Sequence, residues 1–156
     1  MNKIPSVDLA DFLSEDPNRK QKFVNEIGTA YENIGFVSLR SHFLDDALVS
    51  DLYKEVKAFF ALDLAKKKQY EIEGLSGQRG YVSFGKEHAK GKKEGDLKEF
   101  WHFGQVVEGN DPIKSEYPEN VHVNELPQFN SVGLKAYKDL ENTGKFMLRA
   151  IALYLN

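Results

Sequence analysis

Residues 4–39 of the chain read IPSVDLADFLSEDPNRKQKFVNEIGTAYENIGFVSL. The first six of them alternate between apolar and polar side chains, which predicts a short strand with Pro5 at its edge or first position. Asp16 and Pro17 then mark a helix start, with Asp16 as the N-cap and Pro17 in the first helical position. The stretch therefore predicts a strand followed by a helix.

Similar signals predict the elements that follow. Gly35 ends the first helix, and residues 36–39 are expected to form a second strand. Asp45 can cap another helix, Asp63 can start a short helical turn, and residues 97–105 are expected to form a strand. Short strands separated by helices in this way indicate an α+β chain.

The last predicted helix is the longest one. It begins near Pro127, and its apolar stripe continues to the end of the chain. A helix of about six turns needs a large surface to bury against. We therefore expect an α+β fold with several helices, a dominant C-terminal helix and a few short strands. The stripe consists of Leu134, Tyr137, Leu140, Gly144, Met147, Leu148, Ile151 and Leu155.

Residues 74–95 interrupt the regular pattern. Glycine recurs throughout this segment, which predicts a long loop with one extended piece around residues 81–84. Long irregular segments inside a compact domain are often functional. The glycines are Gly74, Gly77, Gly80, Gly85, Gly91 and Gly95.

Composition excludes several classes of protein. The 156 residues fit one domain or a piece of a larger protein, and 21 basic against 24 acidic residues give no basic excess for nucleic-acid binding. There is no cysteine, so disulfides, Cys-based metal sites and Cys nucleophiles are excluded. The sequence contains no apolar run of about 18 residues, so no transmembrane helix is predicted. Residues 1–15 lack the apolar segment of a secretory signal, so we expect a cytoplasmic protein.

No catalytic motif is complete. Residues 80–86 resemble a phosphate-binding P-loop, but Glu87 occupies the position where Ser or Thr should bind magnesium, so a nucleotide site is rejected. None of the four histidines is followed two residues later by a carboxylate, and no zinc helix or serine nucleophile motif occurs. We therefore expect no catalytic residue and no metal site in this chain. The histidines are His42, His88, His102 and His122.

Short segments occur in the order that is typical of one family. They are IPSVDL (4–9), GFV (35–37), SH (41–42), FF (59–60), RGY (79–81), DLKEF (96–100) and LPQF (126–129). With Tyr137 in the last helix, they resemble the N-terminal domain of the isopenicillin N synthase-like, 2-oxoglutarate/Fe(II)-dependent oxygenases, the non-haem dioxygenase N-terminal domain. The resemblance covers nearly all of residues 1–156.

The resemblance implies that the chemistry lies elsewhere. In that family a downstream double-stranded β-helix, or jelly roll, holds Fe(II) with a His-x-Asp…His triad and binds 2-oxoglutarate with an Arg-x-Ser pair. This chain has neither motif. We therefore expect residues 1–156 to be the N-terminal domain, without the catalytic β-helix domain and inactive alone. Fe(II), 2-oxoglutarate and a small-molecule substrate are expected only in a full-length parent oxidoreductase.

The resemblance also implies which residues face the substrate. Arg79 would clamp a carboxylate in bidentate fashion. Tyr81 would supply an aromatic wall with a hydroxyl group, although Tyr81 and Trp101 are also typical core aromatics. An alternative function is a free-standing protein-interaction module that kept this fold without catalysis. The substrate-binding candidates are Arg79, Tyr81, Ser83, Trp101 and His102.

Overall fold

A computed structural model describes residues 3–91 and 94–156 of the chain. The chain divides into two units. Unit 1 comprises Met1–Asp45 and Lys138–Asn156, and unit 2 comprises Asp46–Tyr137. The unit 1 elements in the first segment are β1 (Ser6–Asp8), α1 (Leu9–Leu13), α2 (Pro17–Asn33) and β2 (Ser38–Arg40). Unit 2 begins with α3 (Asp46–Phe60), α4 (Leu64–Lys67), β3 (Gly80–Val82) and β4 (Phe100–His102). Helix α5 (Pro127–Leu155) contributes residues to both units.

The N-terminal elements of unit 1 follow the local sequence signals. The Asp16 carboxylate accepts a hydrogen bond of 2.8 Å from the N–H of Asn18, and Pro17 is the first residue of α2, so the predicted helix start is confirmed. The prediction that the first strand extends to residue 9 is wrong. The Asp8 side chain accepts a bond of 3.0 Å from the N–H of Ala10 and thereby caps α1, so the strand ends at Asp8.

Strands β1 and β2 form a parallel pair. Ser6 lies opposite Ser38, and Asp8 lies opposite Arg40. Helix α2 ends at Asn33, and Gly35 follows with a φ of +79°, a left-handed conformation that glycine adopts without strain. The predicted end of α2 at Gly35 and the second strand after it are therefore confirmed, with the strand displaced toward Arg40.

The core of unit 1 is assembled from its two sequence segments. Phe12, Phe23 and Ile27 are buried together with Ala150 of α5. The rings of Phe12 and Phe23 lie 5.3 Å apart between their centroids, and the Phe146 ring packs edge-on to Phe12 at 6.4 Å. Of the stripe predicted for the last helix, Met147 and Ile151 pack against this core. Leu140, Leu148 and Leu155 are exposed, so the prediction that they belong to the buried stripe is wrong.

In unit 2, β3 and β4 form an antiparallel pair. Gly80 lies opposite His102, and Val82 lies opposite Phe100. The strand predicted over residues 97–105 exists only as Phe100–His102, because only the three residues of β3 pair with it. Strand β3 itself lies within the glycine-rich segment 74–95.

Phe59, at the end of α3, lies at the centre of the unit 2 core. Its ring stacks on Phe129 of α5 with centroids 4.9 Å apart and meets Trp101 edge-on at 4.8 Å. Tyr81 and Tyr70 are buried in the same cluster. The predicted α+β class, with several helices, a long last helix and short strands, is confirmed. Among the residues that the structure describes, no helix is both long and apolar enough to cross a membrane.

Candidate substrate-side site around strands β3 and β4

The five predicted substrate-binding residues lie along β3 and β4. Tyr81 is the central residue of β3 and lies directly opposite Trp101. Arg79 and Ser83 flank β3, and His102 ends β4. Gly80 has a φ of +78°, and a Cβ there would lie 2.5 Å from the carbonyl oxygen of Tyr70. Glycine is therefore required between Arg79 and Tyr81 for both conformation and space.

The hydroxyl group of Tyr81 belongs to a buried charged network. It donates a short hydrogen bond to Oε2 of Glu99. The Lys67 ammonium lies 2.9 and 2.8 Å from the two oxygens of the same carboxylate, and it also donates to the carbonyl of Phe60 at 3.3 Å. Burial raises the pKa of Tyr81, and the neighbouring Glu99 carboxylate raises it further. Tyr81 is therefore a neutral donor committed to Glu99.

Glu99 remains ionised despite its partial burial. Burial raises the pKa of Glu99, but the hydrogen bonds from Lys67 and Tyr81 outweigh burial and lower that pKa below its ordinary value. Glu99 lies in the DLKEF segment, but the sequence pattern gives neither Lys67 nor Glu99 a role. No local pattern pairs two side chains that are 32 residues apart.

Ser83 is oriented by a second carboxylate. Its backbone N–H and its hydroxyl group both donate to Oε1 of Glu71, at 3.1 and 2.9 Å. Glu71 borders an open cavity of about 600 Å³ in unit 2. Tyr81, Lys86 and Glu87 also line this cavity. The hydroxyl group of Ser83 is thus already engaged by Glu71 at the edge of the cavity.

Arg79 is a buried cation that has no carboxylate partner in the part of the chain that the structure describes. Its residue is 9% exposed, and Nη1 donates a hydrogen bond of 2.7 Å to the carbonyl of Gln78. Nε is buried and has no hydrogen-bond partner. Nothing in the described ranges 3–91 and 94–156 forms a salt bridge with this guanidinium, which lies against the backbone of Gly104. Since burial of an unpaired charge is costly, the arrangement suits an anionic partner.

Trp101 and His102 point to different environments, as the alternating strand pattern predicts. Trp101 packs among Phe59, Phe129 and Phe103, and its Nε1 is buried without a hydrogen-bond partner. His102 is exposed, and its Nδ1 lies 2.5 Å from the carbonyl oxygen of Gly77. Trp101 is thus part of the aromatic core, whereas His102 lies on the surface.

A further polar network holds the segment before α5. Tyr70 donates a short hydrogen bond to Oε2 of Glu125, and Lys66 Nζ lies 3.0 Å from Oε1. The N–H of Asn124 donates to the Tyr70 hydroxyl oxygen at 3.1 Å. The Tyr70 and Lys66 hydrogen bonds lower the pKa of Glu125 to about 2.

Fe(II) does not fit the described residues. Over residues 3–91 and 94–156, no three His, Asp or Glu side chains come close enough together to hold a metal ion. A non-haem iron site of the two-histidine, one-carboxylate type needs such a convergent set. No chemical step at iron is therefore derived from this chain.

Comparison with known proteins identifies the family. Residues 4–128 match the family described as "non-haem dioxygenase in morphine synthesis N-terminal". The match covers more than half of the chain, and the chain belongs to this family of N-terminal domains. The resemblance inferred from the short sequence segments is thereby confirmed.

The similar proteins include two named fungal enzymes and one bacterial protein of known structure. A proline hydroxylase from Petromyces alliaceus is 30% identical over 96% of this chain and 47% of its own length. A 2-oxoglutarate-dependent dioxygenase from Aspergillus flavus is 37% identical over 54% of this chain and 24% of its own length. The crystal structure of a protein assigned to the 2OG-Fe(II) oxygenase family from Caulobacter crescentus has a TM-score of 0.82 and 36% identity, over 99% of this chain and 49% of that one. The chain spans about half or less of the length of these relatives.

Proposed function

We propose that the chain is the N-terminal, substrate-side and structural domain of a 2-oxoglutarate/Fe(II)-dependent oxygenase that oxidises a small organic molecule. The observation that carries this proposal is the family match of residues 4–128. The similarity to the Caulobacter protein supports it, because 99% of this chain aligns with about half of that longer protein.

The iron and 2-oxoglutarate sites belong, in this proposal, to a jelly-roll domain outside these 156 residues. The sequence contains no His-x-Asp pair. The described residues also offer no convergent group of three metal ligands. We therefore propose that the chain is inactive alone, and that the jelly-roll domain is its principal partner.

Arg79 is the proposed contact for a carboxylate on the substrate. An arginine that is 9% exposed and has no carboxylate partner among the described residues is suited to a charged group supplied from outside. One relative is named as a hydroxylase of proline, an amino acid with a carboxylate. The other candidates, Tyr81, Ser83, Trp101 and His102, remain predicted residues of the same substrate side.

A free-standing interaction module is the second candidate function. Its support is the exposed apolar surface of α5, where Leu148 is 68% exposed and Leu155 is 76% exposed. The reading frame beyond Asn156 separates the two functions. Continuation into a His-x-Asp segment supports the oxygenase, and an immediate stop codon supports the module.

Titration with Fe(II) tests the proposal that the iron site lies outside these 156 residues. The 156-residue chain should show no stoichiometric Fe(II) site that depends on 2-oxoglutarate. Protein expressed from the continued reading frame should bind one Fe(II) and convert 2-oxoglutarate to succinate with consumption of oxygen. A stoichiometric site in the short chain contradicts the proposal, as does a longer protein that binds no iron.

A further inference from the structure

We propose that Gly104 and Asn120 are positioning residues that hold the guanidinium of Arg79 in place. Only the identity of the ligand, a carboxylate bound by Arg79, rests on the proposed function. The position of Arg79 itself follows from contacts within unit 2.

Gly104 provides the space in which the guanidinium lies. A Cβ at residue 104 would fall 1.9 Å from Cζ of Arg79 and 2.3 Å from both Nε and Nη2. Gly104 is not among the described residues with a positive φ, so its backbone conformation is open to other amino acids. Glycine is therefore needed at this position for the close approach of Arg79 rather than for the backbone.

Asn120 fixes the backbone against which the guanidinium lies. The N–H of Gly104 donates to Oδ1 of Asn120 at 2.8 Å, and Nδ2 of Asn120 donates to the Gly104 carbonyl at 2.9 Å. A carboxamide carries both the acceptor and the donor that this exchange requires. Asn120 thus holds both polar groups of residue 104 and prevents the peptide from turning away.

Among the described residues, Arg79 is held by packing and forms no ion pair. Its Nη1 donates to the adjacent carbonyl of Gln78, and Nε has no hydrogen-bond partner among the described residues. By contrast, Arg19 lies on the surface with its Nη2 2.6 Å from the carboxylate of Asp11. Some N–H groups of the Arg79 guanidinium therefore have no acceptor within the described residues. Because the guanidinium is held in place, these groups are pre-oriented to bind an anionic group.

The test follows the Nε–H of Arg79 by nitrogen-15 NMR in the 156-residue chain. Arginine occurs only at positions 19, 40, 79 and 149, and Arg79→Lys assigns the signal. In the unmodified chain we expect the Arg79 Nε–H to exchange with solvent at least about tenfold more slowly than that of Arg19. Gly104→Ala and Asn120→Ala should each remove most of this protection.

Gly144→Ala is the matched control, because a Cβ at Gly144 meets no atom within 4 Å. It should leave the exchange of Arg79 unchanged. Gly104→Ala displaces only the flexible end of a side chain, so the fold should persist. If Gly104→Ala fails to fold, the exchange of the Arg79 Nε–H in Asn120→Ala decides whether the positioning role holds. Unchanged protection in a folded Asn120→Ala or Gly104→Ala variant overturns the positioning role.

Acetate is the probe for the ligand, with chloride at equal ionic strength as the control. Acetate should shift the Arg79 signal in a saturable way, and either substitution should weaken its binding by about fivefold or more. If acetate has no effect but both substitutions expose Nε–H, the positioning role is supported and the carboxylate contact in the proposed function is contradicted. The two proposals therefore fail separately.

Discussion

Lys67 and Glu99 form a buried ion pair in which one ammonium group contacts both carboxylate oxygens, at 2.9 and 2.8 Å. Their side chains are 9% and 16% exposed. The pair joins α4 to the residue just before β4, and the Tyr81 hydroxyl group of β3 completes it. This network fixes the two strands that carry the candidate substrate side.

Lys67→Met should strongly destabilise unit 2. The substitution leaves the Glu99 carboxylate buried without its cation, which costs about 3 kcal/mol or more of unfolding free energy. Urea unfolding followed by the fluorescence of Trp101, the single tryptophan, measures the change. Lys66→Met is the matched control, since Lys66 pairs with Glu125 while half exposed and should cost about 1 kcal/mol or less. Equal losses for both variants contradict the assigned importance of the buried pair.

Stability should fall on acidification, in part through Glu125. Hydrogen bonds from Tyr70 and Lys66 lower the folded-state pKa of Glu125 from 4.5 to about 2. The unfolded chain therefore binds more protons between these two pH values, and stability is lost as the pH falls through that window. Urea unfolding at pH 5 and pH 3 should show a smaller loss for Glu125→Gln than for the unmodified chain. Glu116→Gln, at an exposed residue, is the control and should lose as much stability between pH 5 and pH 3 as the unmodified chain. If Glu125→Gln also loses as much stability as the unmodified chain, the prediction is contradicted.

Gly28→Ala should destabilise unit 1 by about 1–3 kcal/mol through overpacking. A Cβ at Gly28 would lie 2.2 Å from Cδ2 of Tyr154, and the Tyr154 hydroxyl group is held by Glu32 at 2.8 Å. The ring therefore has little freedom to move aside. Thermal unfolding followed by circular dichroism measures the effect.

The control for Gly28→Ala is again Gly144→Ala, in the open part of α5. Alanine there should stabilise the helix by up to about 1 kcal/mol. In a Tyr154→Ala background, Gly28→Ala should cost much less. A full cost in that background contradicts the steric explanation.

Phe59→Ala should cost about 3–5 kcal/mol, because it empties the centre of the unit 2 core. Phe59 has no exposed surface and contacts Phe129, Trp101 and Tyr81. Tyr53→Ala on the same helix, at a residue that is 64% exposed, should change the stability by about 0.5 kcal/mol or less. Urea unfolding measures both variants, and a small effect for Phe59→Ala contradicts its central role.

Local signals predicted the elements better than their pairing. Asp16 and Pro17 act within one helical turn, so their roles are visible in the sequence. The parallel contact between Ser6 and Ser38 depends on the intervening helix, and no short pattern encodes it. Asp8 was missed as a helix cap because the alternating pattern continued through it to the next residue.

The substrate-facing role of Arg79 and Tyr81 rests on the resemblance of the RGY segment to a family, and it stays a prediction. The contacts around these residues are not visible in the sequence, for the same reason. Gly104 and Asn120 carry no motif, since their importance arises from contacts across 16 residues and from the space that Arg79 fills. The Lys67–Glu99 pair is similarly non-local.

Unit 1 is built from two segments that are far apart in the sequence, and this arrangement sets the order in which its core can form during synthesis. Phe12 and Phe23 are made early, but Phe146 and Ala150, which complete their core, are made more than 100 residues later. At about 5–20 residues per second, roughly 6 to 25 s separate the synthesis of Phe23 from that of Phe146, and the whole of unit 2 is made within that interval. The apolar face of α2 thus lacks its contacts with α5 throughout that interval, and only the residues of β1, α1 and β2 are then available to cover it.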